Sequence, residues 1–177
     1  MGLNDFLSNA VKIAGHEGND DHVVLSSRVR LARNVNGRTF PGRAKKEDRV
    51  ETCGLIQPAV SGLSAMRGGY SESMANLKAL EKQLLVERHH ISREHAAKSA
   101  GSALVINKEQ TICVMINEED HLRMQALIPG LQLKQAWQKI DRIDTSLEKK
   151  LEYAFDDRLG YLTACPTNLG TGIRVSA

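Results

Sequence analysis

Residues 112–123 read ICVMINEEDHLR, and they join five largely apolar residues suited to a buried strand directly to Asn117, three acids, a histidine and an arginine. A polar cluster fused to a buried strand must be solvated, paired or used, because unpaired buried charge is expensive. Glu119 and Arg123 are four apart and share a face in a helix or in a strand of period two, so a carboxylate and a guanidinium are offered together. The alternative is an ordinary surface ion pair. Three strand-like places deliver arginines: Arg28 and Arg30 in SSRVRLAR, Arg123 itself, and Arg174 near the last residue. A guanidinium is a planar fork that binds two phosphate oxygens and stays charged, and four of them converging would suit a triphosphate. The Gly-rich stretch of residues 164–172 could offer backbone N–H groups to an anion. It lacks the GxxxxGK[ST] pattern, and GxGxxG is absent, so a nucleotide here would be bound by arginines.

These residues need elements to position them. Residues 3–14 place Phe6, Leu7, Ala10, Val11 and Ala14 at helical spacing, and 15–21 read as a linker. In 23–33, Ser26, Arg28 and Arg30 alternate against Leu25, Val29 and Leu31, which predicts a strand with two arginines on one face. An edge strand that uses cations to block aggregation is the other reading of that pattern. Residues 44–63 are loosely helical despite Gly54 and Pro58, and 73–87 predict a helix through Met74, Leu77, Leu80, Leu84 and Leu85. Residues 102–115 predict a hairpin turning at Lys108, Glu109 and Gln110. A long helix over 131–154, with Leu133, Trp137, Ile140, Leu147 and Leu151 on one stripe, should cover the sheet. Residues 159–163 and 173–176 predict two short strands around the Gly-rich loop.

A length of 177 residues, 41% hydrophobic and 25% charged, fits one ordinary folded domain. The net charge of +3 does not argue for nucleic acid or a membrane surface, and no aromatic residue interleaves the arginines of 23–33 to stack bases. Three cysteines, no signal-like opening and no apolar run long enough to span a bilayer point to a cytoplasmic chain with unpaired thiols. Cys53, Cys113 and Cys165 lie singly, without the spacing of a metal site, so no metal-ligating residues are assigned.

SSRVRLARN, INEEDHLR and CPTNLGTGIR, in this order and at these separations, resemble the signatures of the ATP:guanidino phosphotransferases, the family of creatine and arginine kinases. LEKQLLVERHHISREHA, PGLQL and LGYLTACPTN are most similar to its bacterial protein-arginine kinase branch. The resemblance implies that Arg28, Arg30, Arg123 and Arg174 hold ATP phosphates, with Ser26, Ser27 and Val29 beside them and Val175 and Ser176 in the same nucleotide-contacting segment. It implies that His89 packs against adenine, with His90 as the competing register. Glu119 would bind and orient the guanidinium nucleophile, and Cys165 would sit beside its nitrogens. A guanidinium, with a pKa above about 12, is a poor nucleophile until a carboxylate fixes its plane and helps take its proton. The cofactors implied are ATP and Mg2+, the ion held mainly through nucleotide phosphates.

The fold expected is α+β, an antiparallel β-sheet flanked by helices, with residues 1–22 a short helix and linker and 23–177 the N-terminal portion of a guanidino kinase catalytic domain. Family catalytic domains continue past the strand at Arg174, so this chain reads either as a fragment or as a shortened relative. The function expected is ATP-dependent phosphorylation of arginine side chains in proteins. A kinase for free arginine or another small guanidino compound, and an inactive module that binds nucleotide or phosphoarginine, are the alternatives. Protein substrates bearing arginine are the expected partners, and an activator protein and a homo-oligomer are left open.

Overall fold

The computed structural model describes residues 3–8 and 23–177. Helix α1 (Leu3–Ser8) is followed by β1 (Ser26–Arg33), α2 (Lys46–Ser61), β2 (Tyr70–Ser73), α3 (Ala79–Glu87), α4 (Arg93–Ala96), β3 (Ala103–Ile106), β4 (Ile112–Ile116), β5 (Leu122–Pro129), α5 (Leu133–Glu148), β6 (Phe155–Asp156), β7 (Gly160–Tyr161) and β8 (Ile173–Ser176). Six strands form one antiparallel sheet in the order β2-β3-β4-β5-β1-β8, and β6 and β7 form a separate hairpin. The expected α+β architecture is therefore the observed one. The part of the N-terminal helix and linker at residues 9–22 lies outside the described residues.

The two faces of the sheet are covered unequally. Val29 and Leu31 of β1, Val114 and Ile116 of β4, and Met124 and Ala126 of β5 point to one side, where α2 and α5 lie over them. On the other side Leu104 and Ile106 of β3 and Cys113 and Met115 of β4 pack under Leu3, Phe6 and Leu7 of α1 and Leu85 of α3. That second cluster covers only the β3–β4 half. The same face of β5, β1 and β8 carries Arg123, Gln125, Arg28, Arg30 and Arg174, because residues paired across antiparallel strands share a side.

Four elements depart from the sequence reading. The helix expected from residue 73 starts at Ala79; Tyr70–Ser73 forms edge strand β2 instead, where pairing with β3 outweighs the helical spacing of Met74 and Leu77. Strand β5 was not anticipated. The long helix ends at Glu148, and its buried stripe is Ala136, Ile140, Ile143 and Leu147, with Trp137 38% exposed beside it. Strand β1 is interior, flanked by β5 and β8, so its arginines do not guard an edge.

Gly172 fixes how β8 enters the sheet. Its φ is +66°, and a Cβ there would lie 2.6 Å from the Ala32 carbonyl oxygen. Ala32 N donates to Gly172 O at 2.9 Å, so the loop and β1 meet closely only because the side chain is missing. Among the described residues, no helix is long and apolar enough to cross a membrane.

The packing of α5 across β1 and β5 makes Ile140, fully buried, a test of the core. Ile140→Ala is expected to destabilise the fold by about 2–5 kcal/mol, with Trp137→Ala costing clearly less, as read from urea unfolding midpoints.

Candidate active site

The register places Arg30 directly opposite Arg174, Arg28 opposite Ser176 and Ala32 opposite Arg123. Four guanidinium groups therefore share one half-buried sheet face, and the small Ala32 leaves room between two of them. Burial, followed by repulsion from Arg28, Arg123 and Arg174, pushes the pKa of Arg30 down to about 10. Burial, with the charges of Arg123 and Arg174, also lowers that of Arg28. Arg28 Nε donates to Ser176 Oγ at 3.3 Å, and the buried Nε of Arg30 has no partner. Among the described residues the carboxylate paired with any of the four is Glu118, whose Oε1 accepts from Arg123 Nη1 at 2.7 Å. Such a face suits a polyanion, which would relieve the repulsion and satisfy the unpartnered donors.

The turn after β4 separates the three acids. Asn117, in the left-handed conformation at φ 55°, is anchored by hydrogen bonds from its Nδ2 to Gly101 O (2.7 Å) and Arg49 O (2.9 Å). Glu118 turns inward and accepts from Ser92 Oγ at 2.6 Å as well as from Arg123. Burial alone would raise its pKa; the hydrogen bonds from Arg123 and Ser92 and the charge of Arg123 outweigh burial and hold it below the ordinary value. Asp120 turns the other way, and its Oδ1 accepts from Asn34 Nδ2 (2.6 Å) and from Ala164 N (2.7 Å). His121 closes the turn: its Nδ1 accepts from Val35 N, and its Nε2 therefore donates to Thr39 O, both at 3.1 Å. Glu119 alone of the three acids is exposed. Burial, with repulsion from Asp120 and Glu118, raises its pKa, against the pull of Arg123.

Glu119 lines a cleft of about 90 Å³ together with Arg30, Arg123, Cys165, Asn168 and Arg174. Cys165 sits on the loop between β7 and β8, with its Sγ 2.9 Å from Thr167 Oγ1. A carboxylate, a thiol and three of the four arginines thus line one open pocket, with Arg28 further along the same sheet face. Glu119 lies in the turn and Arg123 in β5, so they line one cleft without sharing a face of one element, and the ion pair of Arg123 goes to Glu118.

Other expected site residues divide. Ser26 shares the arginine face by alternation, and Ser176 contacts Arg28. Ser27 and Val29 turn their side chains away from the cationic face, because the alternation that exposes the arginines turns these inward. Ser27 Oγ donates to Gly130 O and accepts from Gln132 N, both at 2.7 Å, which fixes the entry to α5, and Val29 is fully buried in the core. Only their backbone lies near the cationic face. Val175, opposite Val29, points to that same far side and is 47% exposed. His89 is exposed in a left-handed bend at φ 59°, and Gln125, from the arginine face, donates to its carbonyl at 2.6 Å. His90 is buried, and burial pushes its pKa down to about 4, so His89 is the histidine available to a ligand. Sequence reasoning missed the anchoring roles of Glu118, Asp120, Asn34 and Gln125, whose partners are remote in the chain. No group of three or more His, Cys, Asp or Glu able to hold a metal ion occurs among the described residues.

The sheet's cationic half-face, with the adjoining carboxylate and thiol, defines an anion site. Residues 55–177 match the family model described as ATP:guanido phosphotransferase, C-terminal catalytic domain, and the chain belongs to that family. It is 44% identical to a protein-arginine kinase of Halothermothrix orenii over 178 residues, covering 99% of this chain and 50% of that protein. It is 43% identical to the protein-arginine kinase of Pelotomaculum thermopropionicum over 163 residues, covering 90% of this chain and 46% of that one. The fold is similar to that of the duplicated taurocyamine kinase from Schistosoma mansoni with bound transition state analog components (TM-score 0.81, 31% identity, 93% of this chain and 25% of that one). It is also similar to lombricine kinase (TM-score 0.77, 29% identity, 95% of this chain and 50% of that one). The chain spans about half the length of the protein-arginine kinases it matches.

The lowered pKa of Glu118 has a defined pH consequence. A carboxylate whose folded-state pKa lies below its unfolded value contributes stability above the unfolded value, and that contribution is lost as pH falls through the folded value. Glu118→Gln is therefore expected to cost about 1.5–3 kcal/mol at neutral pH, the range for hydrogen bonds to charged groups. The gap to the parent should close as pH drops below the ordinary carboxylate range of about 4, measured by denaturant unfolding across pH.

Proposed function

We propose that the protein containing this chain transfers the γ-phosphoryl group of ATP to the guanidino group of arginine side chains in proteins. The observation that carries the reading is Glu119, the exposed member of three consecutive acids, which shares a cleft with Cys165 and with Arg30, Arg123 and Arg174, three of the four arginines that suit a polyphosphate. The relatives at 42–44% identity are named protein-arginine kinases, which favours a protein substrate.

In this reading Arg28, Arg30, Arg123 and Arg174 grip the phosphates from the sheet face and hold the γ-phosphorus in line with the nucleophile. Glu119 accepts hydrogen bonds from the substrate guanidinium, fixes its plane and takes the proton released as nitrogen attacks. The N–P bond forms while the bond from the γ-phosphorus to the β–γ bridging oxygen breaks, and ADP leaves with the electron pair. Cys165 lies where its sulfur would face the guanidinium nitrogens, and as a thiolate it would add negative charge beside the bound cation. Magnesium would be carried on the nucleotide's own phosphates, which the arginines would hold, and it would supply further charge neutralisation there. His89, exposed and tied through its carbonyl to Gln125 of the arginine face, would meet the nucleoside end in this reading.

A second reading takes a small free guanidino compound as the acceptor. Taurocyamine kinase and lombricine kinase share the fold and favour it by their names. The two differ in where acid-labile phosphate accumulates when full-length polypeptide is incubated with ATP, magnesium and either an arginine-rich protein or free arginine. Label on the protein is expected, and label confined to free arginine would select the second reading. Glu119→Gln should remove transfer by a hundredfold or more, on the scale of roughly 10²–10⁴ for a lost general base, with ATP affinity nearly unchanged. Turnover within a few-fold of the parent would take Glu119 out of the mechanism.

A further inference from the structure

The loop of residues 162–172, which carries Cys165 and leads into Arg174, is fastened at both ends to two adjacent residues where β1 finishes. At the far end Arg33 Nη1 donates to Thr171 O at 2.9 Å. Its Nη2 pairs with Asp144 at 2.7 Å, and its guanidinium lies over the Tyr161 ring, 3.6 Å from the centroid. At the near end the fully buried Asn34 uses both ends of its amide. Nδ2 donates to Leu162 O (3.0 Å) and to Asp120 Oδ1 (2.6 Å), and Oδ1 accepts from His121 N (2.8 Å). The same oxygen of Asp120 accepts from Ala164 N at 2.7 Å. One carboxamide therefore joins the turn that presents Glu119 to the loop that presents Cys165.

We infer that Asn34 is a positioning residue which, with Asp120, sets the placement of Glu119 relative to Cys165 across the cleft and so aligns a guanidinium held between them. The inference rests on the guanidino acceptor proposed above. Asn34 touches no reacting atom. Its side chain needs two donor hydrogens and an acceptor at once, which an amide provides and neither a carboxylate nor a methyl group does. Aspartate at this position would also set a second carboxylate against Asp120, and alanine would leave Asp120 and the Leu162 carbonyl without their shared donor. A shift of about 1 Å in a reacting group can cost roughly a hundredfold in rate.

Cys53 and Cys113 are buried, so alkylation by iodoacetamide reports on Cys165. The rate is measured with and without an arginine-containing peptide in the parent, Asn34→Ala, Asn34→Asp, Asp120→Ala and Asp120→Asn, and kcat and the KM for ATP are taken in full-length polypeptide. The peptide is expected to protect Cys165 in the parent. Protection should be lost in both Asn34 variants and in Asp120→Ala, with kcat down by about ten- to a hundredfold and the KM for ATP within about threefold. Asp120→Asn keeps an oxygen where Asp120 Oδ1 lies and should recover the protection that Asp120→Ala loses. A merely structural role would lower the unfolding midpoint without this selective loss. Folded Asn34→Ala with parental protection and kcat would overturn the inference. If the Asn34 variants do not fold, identical behaviour of Asp120→Ala and Asp120→Asn would overturn it. A parent that is protected but transfers no phosphoryl group would reject the phosphotransfer reading and leave the positioning role standing. A parent whose Cys165 is not protected at all would reject the positioning role.

Discussion

Four like charges held on one half-buried sheet face are the constraint around which this molecule is arranged. Guanidinium groups at directly opposed strand positions repel one another, and partial removal from water strengthens that repulsion. The lowered pKa values of Arg28 and Arg30 express both effects. The fold tolerates the cost because the cations occupy only the β5-β1-β8 half of one face. Apolar side chains under α1 and α3 cover the β3–β4 half, and α2 and α5 pack on the opposite face over β1, β4 and β5. Glu118 pairs with one nitrogen of Arg123 and ties it through Ser92 to the start of α4, which fixes where that guanidinium sits on the cationic face.

The acid triplet shows how a short sequence yields one exposed carboxylate and two buried supports. Glu118 and Asp120 are buried, and each takes hydrogen bonds from partners far away in the chain: Ser92 and Arg123 for the first, Asn34 and Ala164 for the second. Their engagement leaves Glu119 projecting into the cleft between them. The arginine cradle, the carboxylate and the thiol loop are thus separate local solutions joined by a few buried polar bonds, and those bonds fix how the charged groups face one another.

Much of the fold was legible in the chain, for identifiable reasons. Period-two alternation in SSRVRLAR marked β1 and the side on which Arg28 and Arg30 lie, and two apolar runs around a polar turn marked the β3–β4 hairpin. Strand β5 carried a similar signal, with Leu122, Met124, Ala126 and Ile128 alternating against Arg123, Gln125 and Leu127, but it was absorbed into the acidic motif that precedes it. Strand β2 had none, since Tyr-Ser-Glu-Ser is polar and owes its conformation to pairing with β3. Trp137 was placed on the buried stripe by size and spacing, yet the stripe runs one position away through Ala136, where the smaller side chain lets α5 approach the sheet. Within the site, residue types and spacing point to Glu119 and the arginines, whereas Cys165 stands out only through the family resemblance. The inward turn of Ser27 and Val29 follows from the same alternation that exposes Arg28 and Arg30. The supporting roles of Asn34 and Asp120 depend on contacts across most of the chain and leave no local pattern.

The most direct test of the central claim is calorimetric titration of ATP into the protein and into Arg28→Ala, Arg30→Ala, Arg123→Ala and Arg174→Ala, repeated at two salt concentrations. If the cationic face grips the phosphates, each substitution weakens binding by about 1.5–3 kcal/mol, and raising the salt weakens the parent more than any variant. Equal affinity in the parent and all four variants would contradict the account and leave the arginines as cations with no part in holding a nucleotide.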